Sequence, residues 1–338
     1  MQTLLITGGA GFIGSNLVRH VLATTSYRIV IIDSLTYAGN LESLADCLSD
    51  ERCSFVRGSI NDRSIVRSTL SDFAVEAIIH LAAESHVDRS IQGAEPFAVT
   101  NVLGTLVLLE EARQMRVARF LHVSTDEVYG SLLPNDPPFT ESSPLHPSSP
   151  YAASKASSDH FVMSYHVTHN LDTVITRCSN NYGPYQFPEK FIPLMTLNAL
   201  EGRPLPIYGD GKQIRDWLHV TDHCTGILQA LEKGVAGETY NFGGSNEQAN
   251  IDVARLILHE TGASERLLTF VTDRPGHDRR YAIDATKAAT ELGWSPLKTF
   301  ADSLRETIAW YRTHSDWCDH VRSGEYRTFY ERQYHSTL

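Results

Sequence analysis

Cysteine is scarce in this chain, and the few present form no pattern. Cys47, Cys53, Cys178, Cys224 and Cys318 are scattered, odd in number and without a C-x-x-C step. That excludes a disulfide framework and a cysteine-based zinc site, and predicts reduced thiols in a cytoplasmic protein with no bound metal. Long apolar runs are missing as well. None approaches the roughly 20 residues that span a bilayer, and Met1–Ile6 leads straight into glycines with neither a basic region nor a signal-length apolar stretch. Positive charge is in deficit: 29 Lys and Arg stand against 40 Asp and Glu, a formal net charge of -11. Such a surface repels polyanions, which argues against nucleic acid polymers and anionic membranes as partners. An anionic substrate must therefore meet a local cluster of donors. Internal repeats and low-complexity tracts are also absent.

What is present is 338 residues, 42% of them hydrophobic, enough for one large or two closely joined domains. Strand-like runs at Thr3–Thr7, Arg28–Asp33, Ser54–Gly58, Ala77–Ala83, Arg119–Thr125 and Thr173–Cys178 are near-continuously apolar. Continuous rather than alternating runs are expected of parallel strands covered on both faces. Helical patterns lie between them, at Ile13–Ala23, Asp62–Leu70, Phe97–Met115 and Tyr151–His169. The alternation predicts an α/β fold: a Rossmann-like, doubly wound parallel sheet spanning 1–180 and taking in about 213–240. After Asn180 the prolines at 184, 188, 193, 204 and 206 break the pattern. Helices are expected near Glu189–Leu200, Thr221–Glu232, Asn250–Glu260 and Phe300–His314, as a smaller mixed α/β substrate lobe over 181–338, not necessarily contiguous. Leu132–Pro150, with six prolines, reads as an active-site loop.

Gly8-Gly9-Ala10-Gly11-Phe12-Ile13-Gly14 follows a predicted strand and opens a predicted helix, the context in which glycines bring backbone amides close to a pyrophosphate at a helix N-terminus. Asp33 ends the next strand, nineteen positions after Gly14. A carboxylate there accepts from ribose hydroxyls and repels a 2′-phosphate, so the expected cofactor is NAD. His80-Leu81-Ala82-Ala83 ends the fourth strand with small residues where a cofactor can lie close. Tyr151 and Lys155 form a Y-x-x-x-K pair on one helix face. An adjacent ammonium is expected to favour the Tyr151 phenolate as a base toward a sugar hydroxyl. Ser124-Thr125-Asp126-Glu127 follows the fifth strand, at the end of the sheet where ligands bind. Thr125 can bond a reacting oxygen, and Asp126 and Glu127 offer an acid and a base if their environments differ.

Together these residues resemble the extended short-chain dehydrogenase/reductase family that acts on nucleotide sugars. Leu81–Ser90, Asn180–Lys190, Tyr208-Gly209-Asp210-Gly211 with Arg215-Asp216-Trp217, and Arg274–Tyr281 narrow the likeness to its dTDP-glucose 4,6-dehydratase subfamily, over nearly the whole chain. The resemblance implies a nucleotide-sugar substrate, dTDP-glucose, and an intramolecular redox cycle on bound NAD. Tyr151 would take the C4 hydroxyl proton, Glu127 the C5 proton, and Asp126 would protonate the leaving C6 hydroxyl. It extends the cofactor set to Gly8, Gly11, Phe12, Ile13, Gly14, Asp33, Ser34, Leu35, Thr36, Ser59, Ile60, Leu81, Ala82, Ala83, Thr100, Tyr151 and Lys155. The substrate set it implies is Ser85, His86, Asn180, Lys190, Phe191, Pro206, Tyr208, Arg215, Asn250, Arg274, His277 and Tyr281. Family members pair through a helical bundle, which implies a homodimer. Three positions depart from the family: Ser34 stands where lysine is frequent, Ser59 where aspartate commonly precedes the isoleucine, and Phe191 where leucine is usual. Readings left open are a UDP-glucose dehydratase, a 4-epimerase or decarboxylase of the same family, and a non-enzymatic NAD-binding regulator.

Overall fold

The structure is a computed structural model in which residues 2–322 are described. Its centre is a parallel sheet of seven strands: β1 (Thr3–Thr7), β2 (Arg28–Asp33), β3 (Cys53–Arg57), β4 (Ala77–His80), β5 (Arg119–Thr125), β6 (Thr173–Cys178) and, from the second half, β10 (Thr239–Phe242). They lie side by side as β3-β2-β1-β4-β5-β6-β10. Successive side chains leave a strand on opposite faces. Thus Leu4, Ile6, Ile29, Ile31, Ile79 and Leu121 share one core cluster while Leu5, Val30, Ile32, Ile78 and Phe120 share another. Both faces are covered, which is why the strands read as unbroken apolar runs. From β1 the chain winds outward through β2 and β3, then returns to β4 on the other side of β1. That reversal opens a crevice at the carboxyl ends of β1 and β4.

The helices are α1 (Phe12–Thr24), α2 (Arg63–Asp72), α3 (Val87–Gln92), α4 (Glu95–Phe97), α5 (Thr105–Gln114), α6 (Pro150–His169), α7 (Phe191–Leu200), α8 (Val220–Lys233), α9 (Asn250–Thr261), α10 (Phe300–Thr313) and α11 (Ser315–Val321). No helix among the described residues is long and apolar enough to cross a membrane. The start of α6 is locally encoded: the Ser149 hydroxyl accepts from the Ala152 amide at 3.1 Å and Pro150 occupies the first helical position. A second sheet joins β7 (Asn180–Tyr182), β9 (Ile214–His219) and β11 (Glu247–Ala249), and β8 (Leu205–Tyr208) pairs with β12 (Leu268–Val271). These and α7, α9 and α10 enclose a separate core around Tyr182, Ile192, Trp217, Ile257 and Leu304.

Three local expectations change. The single helix expected over Phe97–Met115 is interrupted by a π turn at Ala98–Gly104. β4 stops at His80, so Leu81–Ala83 leave the sheet instead of extending it. Leu132–Pro150 is irregular as expected, but 132–149 do not line the crevice. That loop braces the segment behind the crevice: Phe139 bridges to Ile283, and the Ser148 hydroxyl bonds the Asp278 carboxylate at 2.5 Å.

Candidate active site

The crevice between β1 and β4 continues into a cleft that ends against β5, α6 and the segment before α7. Its floor is the glycine turn. Gly8 has φ +71, and a Cβ there would sit 2.7 Å from the backbone of Ala82. A Cβ on Gly14 would meet the Gly8 carbonyl oxygen at 2.2 Å. Both glycines are thus demanded by close packing of strand, helix and the Leu81–Ala82 backbone. Gly11 differs, because its Cβ would meet only the Gly8 carbonyl, at 3.3 Å, and its open side forms the cleft wall. Gly11 also caps α1 without a side-chain bond, and the first turn carries no acidic residue. The leading amides of α1 therefore face the cleft as an uncompensated anion-binding end.

Asp33 closes this end. Its buried carboxylate accepts from the amides of Ala10 at 3.0 Å and Leu35 at 2.8 Å. Burial raises its pKa and those two bonds oppose the rise. Ser34, Thr36, Ser59, Ile60, Leu81, Ala82, Ala83 and Thr100 line the same cleft. Leu35 does not; with φ +53 it turns the chain, and its contribution is the amide that fixes Asp33. A glycine cradle, a bare helix N-terminus and a fixed carboxylate make a set that fits NAD.

Toward the other end stand Thr125, Asp126, Glu127, Tyr151 and Lys155, all on the cleft wall. Thr125 ends β5 and caps the short turn Asp126–Tyr129, its hydroxyl accepting from the Glu127 amide at 3.2 Å. The turn sends the two adjacent carboxylates into different surroundings. Asp126 is 1% exposed, with one carboxylate oxygen unpartnered. Burial, then Glu127 and Asp216, raise it well above the usual carboxylate range. Glu127 is partly exposed to the cleft; burial raises it too, but Arg274, Lys190 and Arg215 pull it back. One acid is held protonated and the other is attended by cations.

Burial, Glu127 and Cys178 together push the Tyr151 phenol well above its ordinary value, and the Thr125 hydroxyl opposes them. Lys155, whose ammonium is expected to favour the phenolate, spends one of its three donors on the Val123 carbonyl at 2.8 Å. Burial lowers Lys155 to about 8, against Asp159 and Cys178.

Of the twelve expected substrate residues, Ser85, Asn180 and Lys190 line the cleft. Lys190 donates to the Ser85 carbonyl at 2.8 Å, and the side-chain oxygen of Asn180 is buried without a partner. Arg215 lies beyond the lining yet influences Glu127. Its guanidinium is 5% exposed, donates to the carbonyls of Ile214 and Asp278 at 2.7 and 3.0 Å, and sits 4.3 Å from the Tyr281 ring centre. Among the described residues no carboxylate pairs with it, and burial lowers its pKa. A buried guanidinium left to carbonyls keeps its capacity to pair with an anion. Arg274 is instead held by Asp88 at 2.5 Å, and the Tyr208 hydroxyl reaches the same carboxylate at 3.3 Å. His277 bonds Asp273 at 2.6 Å, and burial with Arg274 keeps it at about 4, hence neutral.

His86 caps α3, accepting from the Arg89 amide at 3.5 Å. Phe191 stacks on Trp217 at the start of α7, and Pro206 lies within β8. Asn250 opens α9 with its side-chain oxygen buried and unpartnered. These four also stand outside the cleft lining, as do Tyr208, Arg274, His277 and Tyr281.

The sequence reading missed Ser124, Cys178, Gln186, Phe187 and Glu189 on the wall, and Asp88 behind it. Asp88 lies inside the Leu81–Ser90 block already singled out, so its signal was available. It also missed a contact beside the cleft. The Arg89 guanidinium covers the Tyr37 ring at 3.8 Å and reaches Glu189 at 3.2 Å, while Phe187 meets the same ring edge-on.

Comparison with known proteins agrees with this architecture. The family model described as GDP-mannose 4,6 dehydratase matches residues 5–307. A dTDP-glucose 4,6-dehydratase of Neisseria meningitidis serogroup B is 52% identical, covering 97% of this chain and 98% of its own, and one of Salmonella typhimurium is 51% identical, covering 98% of each. The crystal structure of DesIV, a dTDP-glucose 4,6-dehydratase from Streptomyces venezuelae with NAD and TYD bound, superposes with a TM-score of 0.91 at 49% identity, covering 95% of this chain and 100% of that one. A UDP-glucose 4-epimerase of Thermotoga maritima follows at 31% identity and a TM-score of 0.86, covering 92% and 99%.

Proposed function

The chain belongs to the GDP-mannose 4,6 dehydratase family, and from that premise and the cleft's geometry we propose that it converts dTDP-glucose to dTDP-4-keto-6-deoxyglucose, as a hydro-lyase that holds NAD. The observation that carries this reading is the Asp126–Glu127 pair, adjacent in sequence and separated in environment, beside Tyr151. Oxidation or epimerisation at C4 needs one proton acceptor; loss of water across C5 and C6 needs an acid and a base besides.

Gly8, Gly11, Gly14, Asp33 and the wall from Leu81 to Ala83 would hold NAD. Bound NAD supplies what these residues lack: hydride acceptance at C4, hydride return at C6 and, while oxidised, a positive charge favouring the Tyr151 phenolate. Tyr151 takes the C4 hydroxyl proton, and the Thr125 hydroxyl beside it on the cleft wall favours its phenolate. The C4 ketone acidifies the C5 hydrogen, Glu127 removes it, and protonated Asp126 gives its proton to the leaving C6 hydroxyl, which departs as water. As hydride returns to C6, Glu127 gives its proton back to C5, and release of the Tyr151 proton balances the one Asp126 takes up again. Arg215, Lys190 and Arg274 bring cationic charge to Glu127 and to the diphosphate of the substrate.

The same chemistry regenerates NAD at every turnover, and the Tyr37–Arg89–Glu189 contact supports its retention between cycles. The pure protein with dTDP-glucose is expected to form a product with the alkali-induced absorbance of a 4-keto-6-deoxy sugar, at a rate that added NAD does not change. Turnover of UDP-glucose instead would overturn the substrate. A need for added NAD would overturn only the retention. A cytoplasmic location is supported by five cysteines that are all free and buried.

A homodimer belongs to the same reading. Phe161, Met163 and Val167 on α6 and Val99 and Leu103 on the adjoining π turn are exposed apolar side chains, with Val167 at 81% exposure. Apolar area of this kind is covered in a stable assembly. A Val167→Asp/Leu103→Asp variant is expected to halve the sedimentation mass; a parental protein already monomeric would refute the pairing.

A further inference from the structure

Tyr151, Lys155 and Asp159 stand at i, i+4 and i+8 on α6, so one helix face carries all three. Asp159 has no solvent exposure. One of its oxygens accepts from Arg177 Nε at 2.9 Å. The other has no hydrogen-bond partner and lies 3.4 Å from His122 Nε2, which is itself 3.4 Å from Lys155 Nζ. Arg177 spends another nitrogen on the Tyr129 hydroxyl at 2.9 Å. His122, Asp159 and Arg177 are thus sealed beneath the cleft and Lys155 meets them from its wall, with one carboxylate between two cations. A pair kept only for stability would need Asp159 and Arg177 alone. Here the second oxygen is left open toward the histidine and lysine.

We propose that Asp159 is a positioning residue for the reaction: acting by its charge across His122, and opposed by Arg177, its carboxylate keeps Lys155 charged at the cleft wall. This rests on the reading of the cleft given above. The charged and titratable groups around Lys155 are His80 from β4, His122 from β5, Arg177 and Cys178 from β6, and Tyr151 and Asp159 from α6. Both histidines are neutral near pH 7, because burial holds His122 at about 4 and His80 well below its usual value. Asp159 is then the ionised group that favours the ammonium against burial, and Arg177 sets how much of its field reaches Lys155.

The test is titration of Lys155 by 15N NMR of lysine-labelled, NAD-loaded protein, alongside the pH dependence of kcat. The Lys155 midpoint, and the matching break in the rate profile, are expected to move down by about one unit in Asp159→Asn and up in Arg177→Gln. Asp159→Glu should restore the parental value. If Asp159→Asn does not fold for want of a partner for Arg177, the double variant Asp159→Asn/Arg177→Gln removes both charges and is expected to move the midpoint down by less. Unchanged midpoints, or shifts in the same direction for both single variants, would overturn the proposal. Shifted titrations in a protein that leaves dTDP-glucose untouched would overturn the functional reading and leave this one standing.

Discussion

A Tyr151→Phe variant is expected to lose about two to four orders of magnitude in kcat on dTDP-glucose, with little change in KM. The substitution removes one oxygen and nothing else. The ring stays packed edge-on against Phe97, and the start of α6 keeps its Ser149 cap. What disappears is the phenol hydroxyl on the cleft wall, the group at that position able to take a proton from the sugar. Because the loss falls on a step after binding, it should show in kcat and not in KM. The measurement is initial product formation over a range of substrate concentrations. Full parental rate in the phenylalanine variant would remove Tyr151 from the mechanism.

Glu127→Gln is expected to split the reaction in two. With C4 oxidation intact and the C5 proton left in place, the variant should build up reduced cofactor absorbance with dTDP-glucose and release product at least about a hundredfold more slowly. Glutamine keeps the shape of the side chain while removing the charge that Arg274, Lys190 and Arg215 attend. Asp126 cannot take over as the base: burial and its neighbours hold it protonated, the state suited to giving a proton. Stopped-flow absorbance with a single load of substrate checks this. Parental dehydration would release Glu127 from its role, and failure to reduce the cofactor at all would move it to an earlier step.

Features that depend on neighbouring residues were legible in the sequence. The glycine turn, Asp33 at a strand end and Tyr151 with Lys155 on one helix face each carry their geometry in local spacing. The structure sets all of them on one cleft. The π turn at Ala98–Gly104 was not legible, because one extra residue per turn barely alters an amphipathic pattern that otherwise continues from Phe97 to Gln114. Ion pairs over long separations leave no local mark at all. Asp88 and Arg274 are 186 positions apart, and nothing near Arg274 tells that its partner is on α3. No local spacing singles out Asp159 or Arg177, and only the fold shows them to be a buried pair. Spacing puts Lys155 on the same helix face as Tyr151, but it carries no sign that the ammonium also donates to the Val123 carbonyl on β5.

Helix α6 has a consequence for how this chain can change over generations. Tyr151, Lys155 and Asp159 keep their alignment only because each is four residues from the next. A single inserted or deleted codon between them would rotate the later members by about 100° around the axis. Point changes there can be tested by selection one at a time, whereas changes in length cannot. The spacing from Tyr151 to Asp159 therefore tolerates no change of length, while the proline-rich loop before α6, which does not line the cleft, is fixed only where Phe139, Ser148 and Ser149 make their contacts and can change length between them.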